Sequence, residues 1–125
     1  MSDSALEARI NSYKIELPYN YESKIRAISV SPALKLLPEG IIYNINNVSK
    51  DLTQSGKQLT AMNLLNIMFM TAMKAVKPGA PHPVFIEANE LLLKYLDVIV
   101  LNQVAHLDVA AYLREKISEA IIKNI

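Results

Sequence analysis

The sequence contains no cysteine. That removes a disulfide framework, a thiolate nucleophile and a cysteine-bound zinc knuckle from consideration. Glycine is almost as scarce. Gly40, Gly56 and Gly79 lie too far apart to build a phosphate-cradling loop, and each stands where a helix needs ending or a turn needs room. Neither sign of charge is in excess: thirteen Lys and Arg face twelve Asp and Glu, with seven basic and six acidic residues up to Thr60 and six of each beyond it. Without a basic stripe nothing steers the chain to a phosphate backbone, so nucleic-acid binding is not expected. Long hydrophobic runs are missing too. The most apolar stretch, Leu59 to Val76, is interrupted by Asn63, Asn66, Thr71 and Lys74 and does not read as a membrane span. Met1 to Glu7 has neither the basic start nor the apolar run of a signal peptide, so a cytoplasmic protein is expected.

The residues of common active sites are also absent or explained otherwise. The two histidines, His82 and His106, sit in a proline-rich loop and between two expected helices, and no Glu-x-x-His occurs. A metal site needs three or four converging ligands. Asp108, two residues after His106, reads as a helix cap, as does Ser31. No serine lies in a Gly-x-Ser-x-Gly elbow. Glu87 and Glu90 are the best candidates for paired carboxylates, but beside Lys94 and Asp97 they read as a solvated stripe. No catalytic, cofactor-binding or metal-ligating residue is therefore assigned, and the chain is read as a non-enzyme.

What is present is apolar side chain. Of 125 residues, 51% are hydrophobic and 20% charged, enough to close the core of one domain spanning residues 1–125. The mean hydropathy of +0.17 is high for so short a chain, and some apolar surface is expected to await a partner. Leu6 and Ile10 suggest a short first helix. Tyr13, Ile15 and Leu17 alternate with Lys14 and Glu16, and Lys24 to Val30 reads as a second extended run, giving a β-hairpin over residues 12–31. Ile25 and Ile28 fit one turn of helix equally well. Ser31-Pro32 starts a short helix that Pro38 should stop. Apolar positions at 41, 45, 48 and 52 predict the next helix, ended by Ser55-Gly56. A strong helix follows from Leu59 to Lys77. Val84-Phe85-Ile86 then reads as extended, with Asn89 capping a helix from Glu90 to Val104 and Asp108 capping another from Val109 to Lys123. The fold expected is mainly α, a small helical bundle over residues 32–125 with a short N-terminal hairpin.

Four of the five methionines fall between positions 62 and 73. Methionine is flexible and polarizable, and suits either an irregular core or a surface that accepts varied apolar partners. On the strong helix, Ala61, Leu65, Met68, Ala72 and Ala75 share one face, while Met62, Phe69, Met73 and Val76 share another with Asn66 in their midst. A polar residue within an apolar seam often sets register or oligomeric state. Met62, Asn66, Phe69 and Met73 are therefore the candidate partner-binding stripe.

With these landmarks placed, the chain resembles the tail assembly chaperones of long-tailed bacteriophages. The likeness rests on Ile15-Glu16-Leu17-Pro18, Lys24-Ile25-Arg26 and Leu34 to Leu37 through Gly40-Ile41, then on Ala75 to Pro78 and Pro81-His82-Pro83. It continues through Val84 to Glu87, Asp97-Val98-Ile99, Leu107-Asp108 and Arg114-Glu115, covering roughly residues 13–116. Tyr19-Asn20 stands where many members carry Ser-Gly. The resemblance implies a non-enzymatic role in virion assembly, with a tape-measure or tail-tube protein as partner in the host cytoplasm. The competing reading is a homo-oligomeric ring or bundle that covers its apolar surplus with copies of itself. A small enzyme or nucleic-acid binder stands third.

Overall fold

A computed structural model describes residues 14–29, 31–77 and 79–99, together with Ala5, Ala8, Ala111, Tyr112, Arg114, Glu115 and Glu119; the side chain of Met62 is outside this set. Four α-helices make up the described part: α1 (Tyr21–Ala27), α2 (Leu37–Gln54), α3 (Ala61–Ala75) and α4 (His82–Ile99). A single 3-10 turn, Pro32–Leu34, joins the first two. The mainly helical class is as expected. Among the described residues no hairpin accompanies it.

The second arm of the expected hairpin is α1. As a strand, residues 24–30 would point Ile25 and Ile28 to opposite faces; as a helix, Tyr21, Ile25 and Ile28 share one side. Burial decides between them. Tyr21 and Ile25 are buried and Ile28 packs against the same core. Glu22 in the first turn and Lys24 and Arg26 in the last suit the helix dipole. The first arm does pair, but with a different partner: Lys14 forms an isolated antiparallel bridge with Thr60, and the Ile15 N–H donates to the Leu59 carbonyl at 2.9 Å. Tyr13, and most of the first expected helix, lie outside the described residues.

Pro38 starts a helix where it was expected to end one. It occupies the first turn of α2, where a missing N–H costs no hydrogen bond, so α2 begins at Leu37 and absorbs the end of the short helix expected before it. Ser31 caps the 3-10 turn as expected, its Oγ accepting from the Ala33 N–H at 3.3 Å. Leu37, Ile41, Ile42 and Ile45 form the buried stripe of α2, with Val48 and Leu52 half-buried further along. The helix closes in a Schellman arrangement. The Lys57 N–H reaches the Leu52 carbonyl at 2.8 Å and the Gly56 N–H reaches that of Thr53 at 3.1 Å, with Gly56 at φ 71°.

Thr60 caps α3 through its hydroxyl, which accepts from the Asn63 N–H at 3.2 Å. In α4 the helical period starts sooner than the loop chemistry suggests. Phe85, Ala88, Leu91 and Leu92 are buried at i, i+3, i+6 and i+7, so Val84-Phe85-Ile86 is helical rather than extended. Pro83 sits in the first turn, and Asn89 lies mid-helix with no capping role. The expected continuation of this helix to Val104 lies outside the described residues.

Helices α2 and α3 make the most extensive contact; α1 packs on α2 and α4, and α4 also on α3. Leu64, Leu92, Tyr95, Leu96 and Ile99 fill the space between them and are wholly buried. Tyr112 joins this core, and Arg114 pairs with Asp97, tying the last described helical residues to α4. No helix among the described residues is long and apolar enough to cross a membrane.

Candidate functional site

The Met-bearing helix is mostly core. Ala61, Leu64, Leu65, Met68, Thr71 and Ala72 are buried, which settles the inner face of α3 as the small and branched one. The stripe assigned from sequence to a partner is divided by the fold. Phe69 and Met73 are half-buried against the core, Val76 is buried, and Asn66 is exposed. Phe69 and Met73 therefore do not form one open face with Asn66.

Exposure falls instead on Asn66, Met70 and Lys74, a row at spacing four. Met70 keeps 56% of its surface open. On α2, Tyr43 keeps 67% of its surface open, and Leu36 at its cap 72%. Leu36 and Tyr43 lie two turns apart and so share a side of the helix. Between α2 and α3 runs a shallow groove of about 260 Å³, lined by Asn44, Val48, Asn66, Ile67, Met70 and Lys74. Its floor is apolar and its rim carries two amides and one cation.

The closeness of the two helices makes this groove. Gly40 has Thr71 packed against its bare Cα: a Cβ built there would meet Thr71 Cγ2 at 3.0 Å. One turn further along α2, Asn44 Nδ2 donates to Thr71 Oγ1 at 2.7 Å, and that hydroxyl donates to the Ile67 carbonyl at 2.8 Å. The buried threonine is thus fully used, and it holds the Asn44 side chain against the groove wall. Gly40 and Asn44 against Thr71, with Val48 and Asn66 in one groove, is the register of an antiparallel pair.

The ionisable groups with shifted pKa values serve the fold. Arg26 donates to Glu39 at 2.9 Å and lies 3.5 Å from Glu22. The hydrogen bond from Arg26 holds the Glu39 carboxyl below its usual range, and the same pair raises the Arg26 guanidinium. Burial, then the charge of Glu22, pushes the Tyr21 phenol up, and its hydroxyl donates to Asn46 Oδ1. Burial alone pushes the Tyr95 phenol up to about 12. Among the described residues its buried hydroxyl has no hydrogen-bond partner, and neither have Ser49 Oγ and Asn89 Oδ1.

Glu87 and Glu90 share an open hollow of about 340 Å³ with Ser29, Ser31, Leu91 and Lys94, where exposure to water leaves the Glu90 carboxylate solvated. His82 is exposed at the start of α4, and His106 lies outside the described residues. Among the described residues, no three His, Asp or Glu side chains converge in a way that would hold a metal ion. Among the described residues, Leu36, Tyr43 and Met70 are large apolar side chains left open on α2 and α3, and Tyr19 and Ile86 are left open elsewhere. The sequence pattern did not single out Met70, Tyr43 or Leu36 as exposed. The signal was available for Met70, since Asn66 and Lys74 stand four residues to either side of it.

No family model, curated protein or solved structure matches the chain.

Proposed function

We propose that this chain is a non-enzymatic assembly protein that shields an apolar segment of another protein, of the kind the phage tail assembly chaperones represent. In that reading the partner is a tape-measure or tail-tube protein, met in the host cytoplasm. The observation that carries the proposal is that the core is closed, with Leu64, Met68, Leu92 and Leu96 wholly or almost wholly buried, while Leu36, Tyr43 and Met70 stay outside it. Large apolar side chains on one pair of helices are a binding surface in waiting.

The magnitude suits reversible capture. Fully burying a Leu or Met side chain is worth about 1.5–3 kcal/mol, so three anchors that are already partly covered offer roughly 1–2 kcal/mol each. Association costs at least ~4 kcal/mol of lost translational and rotational freedom, so these anchors alone hold nothing for long. A partner must run along the groove and add contacts from its neighbours. Weak anchors suit a protein that must later let go.

The test is the double variant Tyr43→Asp with Met70→Asp, co-expressed with the product of the neighbouring gene. Both positions are exposed, so helix content by circular dichroism should match the parent chain, while co-purification of the partner should be lost. Undiminished capture by the folded variant would refute the assignment of this surface. Light scattering on the parent chain addresses the competing reading. A stable closed ring that the same two substitutions dissolve would make the chain a structural subunit that covers this face with its own copies.

A further inference from the structure

We draw no further inference here: the strongest candidate, the shallow groove between α2 and α3 floored by Val48, Ile67 and Met70, belongs to the surface already described, and nothing in the structure shows what covers it.

Discussion

Alanine at position 40 would set a methyl group 3.0 Å from Thr71 Cγ2, at the point where α2 and α3 come closest. Two terms of opposite sign compete there. Replacing glycine by alanine inside a helix favours folding by about 1 kcal/mol. Overpacking a tight contact costs about 1–3 kcal/mol unless the neighbour can move. Thr71 is poorly placed to move, because its hydroxyl is fixed at both ends, accepting from Asn44 at 2.7 Å and donating to Ile67 at 2.8 Å. Turning the side chain to relieve the methyl would break both bonds. The clash should win, and Gly40→Ala should destabilise the chain by about 1 kcal/mol in urea unfolding followed by circular dichroism. Thr71→Ser removes the offending methyl and keeps the hydroxyl. Alone it should cost about 1 kcal/mol of lost burial. Combined with Gly40→Ala it should restore most of the parent stability, since one methyl then fills the space of the other. The cycle should show a coupling of at least 1 kcal/mol. Additivity within about 0.5 kcal/mol, or a stabilising Gly40→Ala, would refute the packing argument.

Tyr95→Phe removes a buried hydroxyl that has no partner among the described residues, and should stabilise the chain by about 1 kcal/mol in the same assay; a loss of that size would reveal a hydrogen bond to the hydroxyl. The same residue controls part of the alkaline response. Its native pKa of about 12 exceeds the ordinary 10.0, so its contribution is complete below pH 10 and is lost as the pH climbs toward 12, because the unfolded chain ionises first. Stability should fall by about 1.4 kcal/mol per pH unit more steeply in the parent than in Tyr95→Phe across that window, and parallel profiles would show that the phenol is not held neutral. Phe69→Asp with Met73→Asp should unfold the chain or sharply lower its stability, because both side chains pack against the core. A fully folded double variant that loses its partner would restore the stripe read from the sequence.

Much of the fold was legible because local chemistry and periodicity agree. Gly56 ends α2, and Ala61, Leu65, Met68 and Ala72 repeat at the spacing of a buried helical face. The errors cluster where a residue has two local meanings. A proline stops one helix or opens the next, and Pro38 and Pro83 both do the second. Lys24 to Val30 satisfies an extended pattern as well as a helical one, and only the core that receives Tyr21 and Ile25 together selects the helix. Asn89 has the side chain of a cap but lies seven residues into α4.

Sequence alone dictated a cysteine-free, mainly helical chain in which 51% of residues are hydrophobic, because these properties are sums over residues or repeats along one element. Which apolar side chains stay outside was decided by tertiary structure. Met68 and Met70 are chemically identical and two residues apart, yet one is 1% and the other 56% exposed. Their difference comes from the side on which α2 lies against α3, and that depends on Gly40 meeting Thr71 across 31 residues of sequence. Local spacing can say that a helix has two faces. Only the neighbouring helices determine which one water reaches.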